Sequence, residues 1–223
     1  MDIRKIKARE GIIRAFQALI VWLVISGIVS RAGAVLFEKG SARPDSTILT
    51  GMSWAFVLPL LVQMKNRWEV PDPYPNKRKR DRRLLMCAVS GFSGTVLSFG
   101  YGRIMEALRL TEHFSNEVQE GLFSASFPVQ ILVLGVFVPA CEEYLFRRIV
   151  FGCLKEALPE WAAAVSCSLL FAILHGNMIQ MIYAFPMALF MQLLYHIGRG
   201  LEAPAAFHIA ANLAAVCAEH FLH

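Results

Sequence analysis

Seven apolar segments of 17 to 32 residues, separated by short polar stretches, make up most of the chain. A helix needs about 20 mostly apolar residues to cross a bilayer. Inside the hydrocarbon layer, only a helix or a closed barrel satisfies every backbone polar group. The segments therefore predict transmembrane helices at residues 15–37, 47–64, 84–102, 127–158, 160–176, 178–198 and 203–222.

The composition indicates a membrane protein before any motif is considered. Of the 223 residues, 56% are hydrophobic and 17% are charged, whereas ordinary soluble domains carry about 25% charged residues. No internal repeat divides the sequence. We therefore predict an all-α, polytopic membrane bundle of about seven (six to eight) transmembrane helices, formed by a single integral membrane domain over residues 1–223, with the functional site inside the bundle.

The basic residues cluster next to apolar segments, at Arg4–Arg9 and Lys77–Arg83, and the net charge is +5. The positive-inside rule explains such clusters, which argues against a nucleic-acid partner. The sequence thus predicts an integral membrane protein in contact with lipids, with a cytoplasmic N-terminus, located in the plasma membrane in a bacterial host. Pro139 predicts a break in the long fourth segment, and the mixed stretch Arg103–Ser126 is interpreted as an interfacial helix and a loop.

Two glutamates, Glu142 and Glu143, lie well inside the fourth apolar segment, where ionisable groups are costly and often functional. On a helix, Glu143 and Arg147 are four residues apart, in the order that favours an ion pair. Glu142 has Phe146 at that offset and points about 100° away from Glu143. Glu142 therefore needs a partner on another helix, and it is the better candidate for chemistry.

The fifth and seventh segments each supply candidate partners for Glu142. Glu142 and His175 each lie about 16 residues from the turn at Leu158, which places them at similar depth. A carboxylate and an imidazole that share one water form a plausible general base. His208 and Asn212 are again four residues apart, and both can donate hydrogen bonds to a developing oxyanion. By the same count, His208 lies roughly 12 Å below His175.

Three short motifs occur in order in successive apolar segments, namely E-E-x-x-x-R from Glu142 to Arg147, F-x-x-x-H from Phe171 to His175, and H-x-x-x-N from His208 to Asn212. In order and placement they resemble the CPBP family of intramembrane proteases, also called Abi, named for type II CAAX prenyl proteases and bacteriocin processing. The resemblance covers about residues 128–222, the expected protease core.

The resemblance implies an intramembrane endopeptidase that hydrolyses a peptide bond of a membrane-associated protein or peptide, prenylated or not. It implies that Glu142 and His175 activate the attacking water, while His208 and Asn212 stabilise the oxyanion. Glu143, Arg147 and Phe171 would support the site. The family has been described both as metalloproteases and as metal-free glutamate proteases. No cofactor is required on the preferred interpretation, but Glu142, His175 and His208 are zinc-type ligands. No H-E-x-x-H motif is present.

Three alternatives stay open at this point. Family members are also linked to bacteriocin self-immunity, so a non-catalytic membrane protein is the main alternative. The stretch "GFSG", Gly91 to Gly94, fits the G-x-S-G of rhomboid serine proteases, with Ser93 as nucleophile and His196 or His208 as base. A cysteine nucleophile at Cys141 is conceivable, although packing as a small apolar side chain is the simpler interpretation.

Overall fold

A computed structural model describes residues 3–37, 45–74, 79–108, 121, 123, 125–176 and 178–222. The described residues form an all-helical bundle, which confirms the predicted fold class. Its helices, in chain order, are α1 (Ile3–Phe37), α2 (Ser46–Arg67), α3 (Arg80–Ala107), α4 (Phe127–Ala157), α5 (Glu160–Ile173), α6 (Met178–Gly198) and α7 (Glu202–Leu222). The stretch Arg103–Ser126 was interpreted as an interfacial helix and a loop, but residues 103–107 continue α3. Residues 109–120 lie outside the described residues, so the interpretation of that part stays a prediction.

Six of these helices are long and apolar enough to cross a membrane, and α5 is the exception. Its 14 residues span about 21 Å, less than the ~30 Å hydrocarbon layer. The fifth apolar segment was predicted to be helical to residue 176, but α5 ends at Ile173. After Ile173 the bonds shorten to three residues, from His175 N–H to Ala172 and from Gly176 N–H to Ile173, and the chain then turns at Gly176, whose φ of 70° glycine tolerates. His175 consequently lies in the turn after α5.

Helix α4 continues through Pro139, so the predicted break is wrong. Proline lacks an amide hydrogen and its ring collides with the carbonyl one turn earlier, which usually kinks a helix. Here the preceding turns, Ile131–Phe137, are wound as a π-helix, and a second π-helical segment follows at Tyr144–Val150. Wider winding accommodates the ring without interrupting the helix. Such π segments are rare and frequent at functional sites.

One end of the bundle, here called the polar end, collects the α2–α3 loop, the α4–α5 turn and the α6–α7 turn. Ion pairs tie these connections together: Arg148 with Asp72, Lys155 with Glu160, and Arg83 with Glu202. Arg148 had no partner in its own sequence neighbourhood, and the structure supplies Asp72 from the α2–α3 loop. The ion pairs of the polar end therefore hold the C-terminal half of α4 against its neighbours.

Helices α3 and α7 form the most extensive helix pair, and small residues allow their close approach. A Cβ atom on Gly94 would lie 2.2 Å from the carbonyl oxygen of Phe207. Because that neighbour is backbone, it cannot rotate away. Ser98 adds a hydrogen bond from its hydroxyl to the Ala211 carbonyl at 2.9 Å. This pair holds the N-terminal half of α7, which carries His208, at a fixed distance from α3.

We expect Gly94→Leu to lower the thermal unfolding temperature of the purified protein in detergent by at least several degrees, because α3 and α7 must separate. Overpacking of this kind costs about 1–3 kcal/mol or more. Gly100, whose Cβ would meet nothing within 4 Å, provides the matched control, and Gly100→Leu should leave the unfolding temperature nearly unchanged. Equal effects of the two substitutions would contradict the packing role assigned to Gly94.

Candidate functional site

The site is built on the middle of α4, where Glu143 and Arg147 form a completely buried ion pair. Nη1 of Arg147 lies 3.1 Å from Oε1 of Glu143, and each side chain is 1% exposed. Nη2 of Arg147 also donates to the carbonyl of Ala188 on α6, at 3.3 Å. The predicted pair is therefore present, and it connects α4 to α6. Breaking such a pair on one side leaves an uncompensated buried charge.

His208 on α7 lies between the two glutamates. Its Nδ1 is 2.9 Å from Oε1 of Glu143, and its Nε2 is 3.6 Å from Oε2 of Glu142. Because a carboxylate only accepts, Nδ1 carries a hydrogen and donates to Glu143. The contact with Glu142 is longer than a hydrogen bond. His208 thus ties α7 to α4 and faces Glu142 across a short gap.

The ring of Phe171 on α5 is the apolar centre around which the polar groups are arranged. Its centroid lies 4.7 Å from that of His175 and 5.7 Å from that of His208. The guanidinium of Arg147 stands over the ring, with Cζ 5.0 Å from the centroid. A cation over an aromatic face is attracted by the ring quadrupole. Phe171 therefore packs beside His175, as predicted, and also touches the other two groups.

His175 is oriented by its own helix. Its Nδ1 lies 2.8 Å from the carbonyl oxygen of Phe171, so Nδ1 carries the hydrogen and donates to that carbonyl. In the neutral imidazole, Nε2 is then left with a free lone pair. His175 can thus accept a proton or a hydrogen bond through Nε2.

Asn212 has a clear structural partner, because its amide donates to the carbonyl of Leu134 on α4 at 3.0 Å. This carbonyl is left without a helical partner. Its α-helical donor would be Val138, which instead donates to Val133 in the π-helical register. Its π-helical donor would be residue 139, which is a proline and has no amide hydrogen. Asn212 therefore supplies the hydrogen bond to Leu134 that the π segment and Pro139 together leave unmade.

The sequence anticipated the residues of this site better than their pairing. It paired Glu142 with His175, and it did not anticipate that Nε2 of His208 lies 3.6 Å from Oε2 of Glu142. It did not anticipate the bond between His208 and Glu143, for which the sequence carries no signal. The depth count was also wrong, since Phe171 contacts both His175 and His208. That count assumed straight, parallel helices that start at one level.

The candidate zinc ligands of this site are Glu142, His175 and His208. A catalytic zinc site needs three converging protein ligands. In the residues that the structure describes, no group of three or more His, Cys, Asp or Glu side chains is arranged to hold a metal ion. Glu142 and His208 supply two donors 3.6 Å apart, and the third candidate, His175, does not converge with them. As arranged, these residues do not fit zinc.

The residues of the two alternative nucleophile sites are engaged in helix packing and local hydrogen bonds. Ser93 donates its hydroxyl to the carbonyl of Ser90 within α3, and Gly94 in the same G-x-S-G stretch is required by helix packing. His196, one of the two histidines considered as its base, lies at the polar end beside Glu160, at 2.8 Å. Cys141 is 2% exposed and belongs to the apolar core. None of these residues needs a catalytic role to account for its position.

Comparison with known proteins supports the resemblance seen in the motifs. Residues 124–214 match the profile of the family described as type II CAAX prenyl endopeptidase Rce1-like. This range lies close to the predicted 128–222 and contains every candidate residue from Glu142 to Asn212. No curated protein and no solved structure matched the chain.

The role of Asn212 in completing α4 can be measured by a double-mutant cycle. We expect Asn212→Ala to reduce the free energy of unfolding by about 1 kcal/mol, near the lower end of the cost of an unsatisfied carbonyl, because this carbonyl is partly buried. Pro139→Ala restores an amide hydrogen that can reach Leu134, so Asn212→Ala should cost less in that background. Denaturant unfolding in detergent measures both costs. Equal costs in the two backgrounds would show that the Leu134 carbonyl is not the reason for Asn212.

The buried ion pair predicts that removing one partner destabilises the protein more than removing both. Arg147→Met should destabilise the protein by about 3–5 kcal/mol, because Glu143 is then buried without its cation. Replacing both residues, Arg147→Met with Glu143→Leu, should recover part of this loss, although His208 then lacks its carboxylate. Thermal unfolding of the two variants provides the comparison. A double variant less stable than Arg147→Met would contradict this account.

Proposed function

We propose that the chain is an intramembrane endopeptidase whose general base is Glu142, in keeping with the match of residues 124–214 to the family described as type II CAAX prenyl endopeptidase Rce1-like. The observation that carries this proposal is that the two glutamates differ in their hydrogen bonds and ion pairs. Glu143 is engaged by both Arg147 and His208. Glu142 has no hydrogen-bond partner among the described residues and lies 3.6 Å from Nε2 of His208.

As a general base Glu142 must be ionised, and burial away from water disfavours that charge unless it is compensated. Two carboxylates face one guanidinium, so an imidazolium at His208 makes the cluster neutral. Nε2 of His208 then carries a hydrogen and points toward Glu142. A water molecule hydrogen-bonded to Glu142 and to the free Nε2 of His175 is held for attack. This arrangement is a carboxylate–imidazole general base.

In the proposed reaction, the water oxygen attacks the scissile carbonyl carbon while one water proton passes to Glu142. The resulting oxyanion is stabilised by the Nε2 hydrogen of His208 and by the second amide hydrogen of Asn212, whose first hydrogen is used by Leu134. Preorganised donors of this kind typically contribute ~3–4 kcal/mol each. The tetrahedral intermediate then collapses, the carbon–nitrogen bond breaks, and protonated Glu142 returns its proton to the leaving amine.

The substrate proposed is a membrane-associated protein or peptide, prenylated or not, because the site lies inside six potential membrane-spanning helices. We propose that the polar end, with the basic residues at the start of α3, faces the cytoplasm. In a bacterial host the protein would lie in the plasma membrane. The proposed reaction is written without a metal ion, and in the described residues no three-ligand donor set is arranged to hold one.

The decisive experiment measures cleavage of a panel of membrane-associated peptides, prenylated and unprenylated, by the purified protein in lipid. We expect Glu142→Gln to reduce the cleavage rate by about 10²–10⁴-fold, the usual contribution of a general base, while the protein stays folded by thermal unfolding. Ser93→Ala and Cys141→Ser should cleave at the parental rate, and a zinc chelator should have no effect.

Other results would decide against parts of this proposal. Unchanged cleavage by Glu142→Gln would exclude Glu142 as the base. Loss of activity with the chelator, restored by zinc, would establish a metalloprotease. Loss of activity in Ser93→Ala with intact folding would favour the serine protease. A folded parent protein that cleaves none of the peptides would favour the non-catalytic alternative.

A further inference from the structure

A groove between α5 and α6 opens on the outer surface of the bundle, beside the polar end. It encloses about 510 Å³, and its lining contains no residue of the catalytic cluster. Trp161 and Leu193, two of its lining residues, are 73% and 48% exposed. In a membrane-spanning bundle such a groove faces the surrounding lipid.

The polar and apolar residues of the groove are ordered along the helices. Helix α5 begins at Glu160 and α6 ends at Gly198, so the lining residues Glu160 and His196 lie at the polar end. Leu189, also in the lining, precedes His196 by about two turns and lies ~10 Å deeper. Trp161 stands at the boundary, the level where tryptophan is enriched in membrane proteins. A phospholipid has the same order, with its headgroup at the interface and its acyl chains below.

Tyr74 joins the polar side of the groove to two cations. Nζ of Lys155 lies 4.6 Å and Cζ of Arg199 lies 5.2 Å from the centroid of the Tyr74 ring. Burial, and then the hydrogen bond that its hydroxyl donates to Glu160, raise the pKa of Tyr74. The hydroxyl is therefore neutral, and Tyr74 adds no negative charge beside these cations.

The positive charges at this end of the groove exceed the negative ones. Glu160 already accepts hydrogen bonds from Tyr74, from Nζ of Lys155 at 3.1 Å and from Nδ1 of His196 at 2.8 Å. Arg199 has no carboxylate within ion-pair distance among the described residues, and it is exposed. Glu160 offsets one cation, so a surplus positive charge remains at the polar side of the groove.

The backbone of Arg199 is a second, independent sign of a ligand. Its φ is 60°, in the left-handed region that disfavours residues with a Cβ atom. Helices commonly end on a glycine in this conformation. Here an arginine occupies the position and places its exposed guanidinium over Tyr74. An outlier of this kind points to a function for the side chain.

We propose that this groove binds an anionic phospholipid, with an acyl chain along Trp161 and Leu193 and the phosphate bound at the Tyr74 end by Lys155 and Arg199. Basic pockets between membrane helices bind anionic headgroups, and each basic residue contributes about fivefold in affinity. A zwitterionic headgroup would bring its own cation toward Lys155 and Arg199. The inference does not depend on the proposed function, because none of these residues takes part in the proposed reaction.

The test is fluorescence quenching of the full-length protein in phosphatidylcholine vesicles that contain a minor fraction of phosphatidylglycerol. Two samples have the same headgroup composition and an equal amount of lipid with brominated acyl chains. The brominated lipid is phosphatidylglycerol in one sample and phosphatidylcholine in the other. Bromine quenches a tryptophan that it touches. The signal of Trp161 is the difference between the parent and Trp161→Phe, which retains the other tryptophans.

We expect brominated phosphatidylglycerol to quench Trp161 as strongly as at least an about fivefold larger amount of brominated phosphatidylcholine. Arg199→Gln should reduce this ratio to within about twofold of unity. Arg82→Gln is the matched control, since it removes the same charge from an exposed position at the start of α3, and it should keep the parental ratio. Arg199→Gly removes the same cation and relieves the positive φ, so it replaces Arg199→Gln should that variant fail to fold.

The apolar part of the site has its own test. Ala164→Phe fills the groove and leaves the cations in place, so it should also bring the ratio close to unity. Val165→Phe, at a neighbouring position that is 42% exposed and outside the lining, should keep the parental ratio. Glu142→Gln should keep it too, so failure of the proposed reaction would not affect this result.

Four outcomes would overturn the proposal. The first is equal quenching of Trp161 by the two brominated lipids in the parent. The second is an equal loss in Arg82→Gln and Arg199→Gln, which would show a general effect of surface charge. The third is a parental ratio in folded Ala164→Phe, which would exclude an acyl chain in the groove. The fourth is displacement of both lipids by a prenylated peptide without any headgroup preference, which would assign the groove to a lipidated substrate.

Discussion

The buried carboxylate of Glu143 is the interaction on which the rest of the structure depends. It receives Arg147 from its own helix and His208 from α7, and Arg147 in turn binds the backbone of α6. One carboxylate therefore fixes three helices at the centre of the bundle. Charge buried at this depth is tolerated only when it is paired and hydrogen-bonded, so these helices can pack in few other ways.

This arrangement explains why two adjacent glutamates can differ so strongly. His208, which donates to Glu143, also lies 3.6 Å from Glu142, and Glu142 makes no hydrogen bond to another described residue. A carboxylate that makes no hydrogen bond of its own in the described structure is free to bind and deprotonate water. The same residues thus compensate the buried charge and form the site of the proposed chemistry.

The winding of α4 connects the backbone to the site. Pro139 and the π segment before it leave the carbonyl of Leu134 without a helical donor, and the amide of Asn212 donates to this carbonyl. The same contact holds α7 against α4, close to where His208 meets Glu143. Close packing of Gly94 against Phe207 supports α7 from the opposite side. The position of His208 therefore depends on backbone features of three helices rather than on any single side chain.

Much of this protein is determined by the sequence alone. Apolar length specifies the spanning helices, and the four-residue spacing specifies the pair of Glu143 with Arg147, since helix geometry fixes which neighbours share a face. Contacts between residues on different helices are not specified by this spacing. That Glu142 faces His208, that Asn212 binds Leu134, and that α5 ends before His175 depend on helix rotation, height and winding. Those variables are set by packing between helices, and only the tertiary structure decides them.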